Sequence, residues 1–374
     1  MVLMSPPVTG ARHPQKRRVP LWDNARWLTI VLVVIGHAIL KLIAESDVAY
    51  EAYLFIYSFH VPLFVAVSGY FARSGPPGTR QLHRLLTDLV FPYVVFETLW
   101  TLVHWLLGGE FRMDYSSASW TLWFLIALLV WRIMLPYLVL LRYPLLISIA
   151  ISIGSGYVIA IDSTFTLSRT LGLLPFFVFG WHLRQWRLTS RWLTLDNGAV
   201  WRWRVGALTL FTALSGVIVL NIDALRGLRI RRFLLYNEAY PLFGYDQIWA
   251  GGIRLGLMLL AFALIMAFLM LVPRRRTWFT TLGTATMYVY LFHSVLLFPL
   301  RETGVLDGPQ PAWVLPGMVV LSVLIAIVLS LPFVRKTFRP LVEPRARWLF
   351  RKHESTHTGT IVLPPMDPPP AEPS

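Results

Sequence analysis

The sequence predicts an all-α, polytopic integral membrane protein of about ten transmembrane helices, with both termini cytoplasmic. Three observations carry that expectation. Hydrophobic residues make up 56% of the 374 and charged residues only 14%, whereas soluble domains carry about 25% charged residues. Mean hydropathy is +0.59. The apolar residues gather into windows of about 20, the length an α-helix needs to cross the hydrocarbon of a bilayer.

Taken in order, ten windows qualify: 27–44, 52–72, 86–107, 119–137, 143–161, 167–183, 204–222, 246–272, 279–300 and 311–334. The fifth and sixth are the weakest, because Gly154, Gly156, Asp162 and Ser163 interrupt them. The charges between the windows give an independent check. Arg12, Lys16, Arg17, Arg18 and Arg26 precede or open the first helix, and an acidic loop with Glu45, Asp47 and Glu51 follows it. Arg73, Arg80 and Arg84 lie ahead of the third window, Arg132 and Arg142 around the end of the fourth. Arg184, Arg187, Arg191, Arg202 and Arg204 separate the sixth from the seventh, and Arg274, Arg275 and Arg276 end the eighth. Arg335, Lys336, Arg339, Arg345, Arg347, Arg351 and Lys352 follow the tenth. Most of the basic residues therefore fall on one side, as the positive-inside rule requires of a chain with both ends inside.

The formal net charge of +15 has the same explanation. The basic clusters sit beside apolar windows, where anionic lipid headgroups meet them, and form no soluble basic domain of the kind that binds nucleic acid. The absence of cysteine excludes disulfides, thiolate nucleophiles and cysteine metal sites; no metal site is read elsewhere. The organisation expected is a basic cytoplasmic tail over 1–20, a transmembrane domain over 21–335, and a basic then Pro-rich, disordered tail over 336–374. No cleavable signal is read at the start. Between Asn221 and Tyr245 runs the longest outer loop, rich in Arg and aromatics and including Tyr240. Two readings of it stand: a grip on a polar glycan, or a packed lid.

Ionisable groups at membrane depth are costly, so each is a functional candidate. Counted from the outer end of its window, His37 lies about 7 residues in, His60 about 8, Glu97 about 10, Arg254 about 8 and His293 about 7. At 1.5 Å per residue these share a layer roughly 10–15 Å deep. Packed together they would line one polar chamber. The structural alternatives are helix–helix hydrogen bonding by each histidine and mutual neutralisation of Glu97 and Arg254. His104 and His182 read as boundary residues.

The first helix is the most informative. Arg26 and His37 are 11 residues apart, which is three turns plus about 20°, so both project from one face about 16 Å apart. A guanidinium suits phosphate recognition. A neutral imidazole suits proton abstraction from a hydroxyl. A ligand with phosphates at one end and a reactive group three turns away fits both, and acyl-coenzyme A has that shape. Asp23 either orients the guanidinium or caps the helix.

The segment Leu21-Trp22-Asp23-Asn24-Ala25-Arg26, with His37 after ten more residues, resembles the acyltransferase 3 family of membrane acyltransferases, and within it the fucose 4-O-acetylase-like group. Ser58-Phe59-His60-Val61-Pro62-Leu63-Phe64 through Ser68-Gly69-Tyr70-Phe71 is similar to the second-helix motif, and Leu122-Trp123-Phe124-Leu125 to the fourth. Gly283 with Tyr288-Val289-Tyr290-Leu291-Phe292-His293 is similar to the late Tyr-Leu-x-His segment. The likeness covers roughly 20–335. Two departures stand out: the second motif is less aromatic than usual, and Ile126 stands where Pro is frequent.

The resemblance implies a multi-pass protein of the cell membrane that takes an acyl-coenzyme A donor from the cytoplasm. The acceptor would be a hydroxyl, commonly on a sugar. It implies that His37 is the catalytic residue and Arg26 its partner, with Arg80 and Arg84 beside the donor. The expected activity is O-acetylation of a carbohydrate or glycan, with acetyl-coenzyme A as donor substrate and no permanently bound cofactor. In this scheme His37 is the general base, with Glu97 or His60 orienting or stabilising its imidazolium. Arg254 or His293 faces the developing oxyanion, and Trp123 and Tyr240 complete the candidate substrate-binding set. Competing expectations are acylation of a small glycosylated metabolite, and glycan transport, which midplane charges also suit.

Overall fold

The computed structural model describes residues 18–344; the expected tail segments 1–17 and 345–374 lie outside the described residues. Residues 18–344 form one unit. It is all-helical, with no strand among the described residues.

Ten main rods follow one another: α1 Pro20–Ala38, α2 Asp47–Tyr70, α3 Thr79–Leu106, α4 Trp123–Leu138 and α5 Pro144–Ser155. Then come α6 Leu167–Gln185, α7 Asn197–Leu220, α8 Ala250–Leu271, α9 Thr286–Glu302 and α10 Val314–Leu329, with a short α11, Pro332–Val342, at the end. Each of the ten apolar windows coincides with a rod. By length and apolarity, α2, α3, α7 and α8 are each able to cross a membrane, and α10 with α11 forms a fifth span if their 74° bend is counted as one crossing. α5 is only 12 residues long, about 18 Å at 1.5 Å per residue, because the chain leaves the helix at the Gly154–Gly156 break. α11 turns aside carrying Arg335, Lys336 and Arg339, the composition of a helix that lies in an interface.

The start of α1 departs from its window. Pro20 supplies the fixed φ of a first helical position and Asp23 sits in the first turn. The helix begins about two turns early because its polar opening is satisfied by protein. Buried Asn24 donates to the carbonyls of Pro273 and Arg275, both at 2.9 Å, and accepts from Thr277 and Thr280. α1 ends at Ala38. His37 is therefore in the last turn rather than seven residues deep, and Arg26 lies inside the helix.

α2 is the centre of the bundle, with 72% of its apolar window buried, whereas α7 is peripheral with 11% buried. α2 is jogged at Ser58–Phe59, and its second half packs against α6 along glycines. A Cβ on Gly69 would sit 2.0 Å from the Phe177 carbonyl oxygen, and one on Gly180 1.9 Å from that of Ala66. Small residues let the two backbones touch, as helices in lipid commonly do. α3 carries a π turn at Leu86–Val90 just before Pro92, where the missing proline N–H leaves the normal bonding ladder open.

The loop over 221–245 is packed rather than open. It folds into the short helices Ile222–Gly227 and Ile230–Leu235 and a turn at Tyr240–Phe243. Phe233, Tyr240, Phe243 and Tyr245 form a small buried cluster with Ala250 of α8. Of its two expected readings, the packed lid describes this geometry.

Candidate active site

His37 in the last turn of α1 meets His293 in the middle of α9. His37 Nδ1 and His293 Nε2 are 2.9 Å apart, and the rings are nearly coplanar, 8° apart with centroids at 5.2 Å. That is the geometry of an in-plane hydrogen bond. The tautomers follow by elimination for neutral rings. His293 Nδ1 lies 2.9 Å from the Val289 carbonyl oxygen, which only accepts, so His293 Nδ1 carries the proton. His293 Nε2 is then an acceptor, and His37 Nδ1 donates to it. This leaves the lone pair of His37 on Nε2, outside the pair. An imidazole held this way is ready to take a proton from a hydroxyl. His293 is fully buried; His37 is only half-buried.

One side of this pair is the short segment Ser119–Trp120–Thr121 ahead of α4. The Trp120 ring lies 5.7 Å from that of His37, and Trp120 holds a φ of +39°, which a bulky residue rarely adopts. The segment is clamped at both ends. Buried Glu97 of α3 accepts from the Ser119 amide at 2.9 Å and from its hydroxyl at 2.5 Å, and the Tyr290 hydroxyl of α9 donates to the Thr121 carbonyl. Farther along the same loop, the Ser116 amide and hydroxyl hold the Asp114 carboxyl below its ordinary range, and the Phe165 amide bonds the Ser116 carbonyl at 2.7 Å.

The expected roles are redistributed accordingly. Glu97 is bonded to Ser119, and the partner of His37 is His293 rather than Glu97 or His60. His60 is fully buried beside the pair; its Nδ1 donates to the Ile56 carbonyl at 2.8 Å while Nε2 has no protein partner. A Cβ on Gly36 would come within 3.7 Å of that Nε2, so His60 flanks the helix turn that presents His37. Arg254 does not pair with Glu97. It is enclosed between the rings of Tyr236 and Tyr240, at 5.0 and 4.5 Å, and donates to the Ser152 carbonyl at 2.9 Å. Tyr240 is wholly buried, its amide bonded to the Gly156 carbonyl at 2.7 Å. Both residues tie the 221–245 segment to the end of α5. Trp123 carries the Arg169 guanidinium over its ring at 5.0 Å.

At the other end of α1, Arg26 lies 3.7 Å from Asp23 and 4.1 Å over the Phe71 ring. Phe71 in turn lines a cavity of about 420 Å³ with Arg73, Arg80, Arg84, Asp88 and Arg132. Asp23 faces a second hollow of about 940 Å³, lined by Arg18, Arg274, Arg275, Arg276 and Arg335 among others. The opening of α1 thus stands between two basic hollows, and both suit phosphate groups. Between Arg26 and His37, the same face of α1 presents Ile30 and Val33, both buried.

The residues that the sequence did not single out are Ser119, Trp120, Arg169 and Arg301. Their one sequence signal was position. Ser119 and Trp120 directly precede the Leu122–Leu125 motif, and Arg169 and Arg301 lie away from the basic clusters that mark one side.

Comparison with known proteins gives three findings. A family described as "Acyltransferase domain" matches residues 20–331. The nodulation protein NolL of Mesorhizobium japonicum is 28% identical over 200 residues, which cover 49% of this chain and 51% of that protein, so the alignment spans about half the length of this curated relative. No solved structure matches.

Proposed function

The chain belongs to this acyltransferase family, and from that premise we propose that it is a membrane O-acyltransferase, moving an acetyl group from acetyl-coenzyme A to a hydroxyl of a carbohydrate or glycan. The observation that carries the reading is the His37–His293 pair. Its hydrogen-bond pattern directs the one free imidazole lone pair out of the pair, which is what a general base for a hydroxyl needs.

In the proposed reaction the acceptor hydroxyl gives its proton to His37 Nε2 as its oxygen attacks the thioester carbonyl. The C–O bond forms and the C–S bond breaks. The coenzyme A thiolate leaves and takes the proton from the imidazolium, restoring His37. His37 Nδ1 keeps donating to His293 Nε2 throughout, so the charge that develops stays on His37 and is stabilised by a charge-assisted hydrogen bond, with no second proton transfer. Since that nitrogen of His293 is committed as an acceptor, His293 is a positioning residue in this scheme rather than an oxyanion donor.

The donor is assigned to the Arg26 end. Arg80 and Arg84 would hold its phosphates, supported by the four arginines against one carboxylate that line their cavity. The pantetheine arm would run past Ile30 and Val33 to His37. In the same proposal the basic face and both termini are cytoplasmic and the protein is multi-pass in the cell membrane. A sugar acceptor is supported by the aromatic walls around His37 and by the likeness to fucose 4-O-acetylase-like proteins.

The test is transfer of labelled acetyl from acetyl-coenzyme A in proteoliposomes. His37→Ala should lower turnover by about 10²–10⁴-fold, the usual contribution of a general base. His293→Ala should lower it less, because Nε2 of His37 remains present but loses its fixed tautomer. Arg84→Gln should raise KM for the donor while leaving kcat nearly constant. Full turnover in His37→Ala would overturn the assignment, and sugar flux without acyl consumption would establish transport instead.

A further inference from the structure

Three arginines from three different parts of the chain converge on the His37 end. Arg301 of α9 lies over the Trp120 ring at 4.1 Å, the ring that faces His37 at 5.7 Å. Arg169 of α6 lies over Trp123 at 5.0 Å, three residues farther on. Arg231, in the short helix Ile230–Leu235, lies 5.5 Å over Tyr53. Tyr53 stacks on Tyr57 at 3.8 Å, and Tyr57 meets the His60 ring at 4.4 Å. Arg169 and Arg301 also lie within electrostatic reach of His37, and all three arginines within reach of Tyr57.

None of the three makes an ion pair among the described residues. The carboxylate nearest in influence to Arg169 is Glu238, and it is engaged by Arg232. Glu97, the buried acid of this region, is engaged by Ser119. Arg301 also keeps a buried Nε donor without a partner. Aromatic faces relieve part of the cost of desolvating a guanidinium. They supply no counter-charge, and uncompensated cations in a membrane-embedded wall are expensive. The arrangement also has a direction: Arg231 is exposed, while Arg169 and Arg301 are partly buried nearer the histidines. Such a file of like charges concentrates and steers an anion inward.

We infer that the acceptor is an anionic sugar, whose carboxylate or phosphate is held by Arg169 and Arg301 while a neighbouring hydroxyl reaches His37. Arg231 receives it at the mouth. The transfer step rests on the acyltransferase reading; recognition of the anion does not.

Two measurements on the full-length protein in proteoliposomes or detergent separate these. The first is quenching of tryptophan fluorescence, reported by Trp120 and Trp123, on titration with glucuronic acid, glucose 6-phosphate or glucose. An acidic sugar should bind at least tenfold more tightly than glucose, with Arg169→Gln and Arg301→Gln each removing most of the difference and Arg169→Lys keeping part of it. The second is acetyl transfer to matched uronate-terminated and neutral oligosaccharides. The ratio of their kcat/KM values should favour the uronate and collapse in the same variants through KM. Equal binding of neutral and acidic sugars would overturn the inference. So would an equal fall in kcat for both acceptors in Arg169→Gln, because the arginines would then serve the oxyanion alone. Selective binding with no acetyl transfer to any sugar would uphold the anion site and instead count against the acyltransferase reading.

Discussion

Trp120 shows how much of the site depends on single residues. A bulky side chain at φ +39° costs on the order of 1–3 kcal/mol, and such strain persists only where the surroundings over-determine it. Here the surroundings are Glu97 below Ser119 and Tyr290 below Thr121. Glu97 therefore acts through the segment it clamps. Removing the Ser119 hydroxyl leaves a buried carboxylate short of a donor, which costs about 1–3 kcal/mol. Ser119→Ala should accordingly lower the unfolding temperature in detergent and reduce kcat, while KM for acyl-coenzyme A stays constant because the proposed donor site is at the other end of α1. A raised donor KM with intact kcat would contradict this division. The histidines follow the same logic: four of the five candidate groups, His37, His60, Glu97 and His293, gather at or beside one site, but their pairing depends on which nitrogen each backbone carbonyl engages.

At the scale of elements, the decisive contact is α2 against α6. Gly69 and Gly180 allow carbonyl-to-backbone approach, and that approach seats His60 and fixes the α2 face beside α1. Gly180→Ala would force a Cβ to within 1.9 Å of the Ala66 carbonyl oxygen, so the helices must separate. The expected loss is about 1–3 kcal/mol, as for overpacked cores, with a drop in activity. Gly206→Ala on α7 is the internal control. A Cβ there meets nothing within 4 Å, and the gain in helix propensity makes it neutral to slightly stabilising. Similar unfolding temperatures for the two variants would show that the α2–α6 contact is looser than described. The helix boundaries teach the same lesson. The window for α1 begins at residue 27 on apolarity alone, whereas Asn24, buried by carbonyls of the segment after α8, extends the helix back to Pro20.

For the whole molecule, charge is the organising quantity. The cavities at the Arg26 end are lined by arginines, and the proposed orientation puts that end in the cytoplasm. The absence of cysteine makes this directly measurable, since any introduced thiol is unique. In intact cells, Gly78→Cys, between α2 and α3, should be protected from a membrane-impermeant maleimide, and Gly227→Cys, between α7 and α8, should react. The reverse pattern would invert the orientation and with it the side from which the donor enters. If both thiols react, or neither does, the two loops do not lie on opposite faces.

Composition alone determined that this chain is membrane-embedded, because a sequence 56% hydrophobic and 14% charged cannot coat a water-soluble surface, and its apolar windows of about 20 residues determined that it is helical. Motif order and the Arg26–His37 spacing pointed to the acyltransferase family, and apolar windows of about 20 residues located the ten rods to within a turn or two, because both are local properties of the chain. Only the tertiary structure decided that His37 pairs with His293 across 256 residues, that Glu97 serves Ser119, and that Arg254 and Tyr240 are locked together at the lid. Hydrogen-bond partners in a bundle depend on helix rotation and offset. Packing of whole faces sets those, and no single segment encodes them.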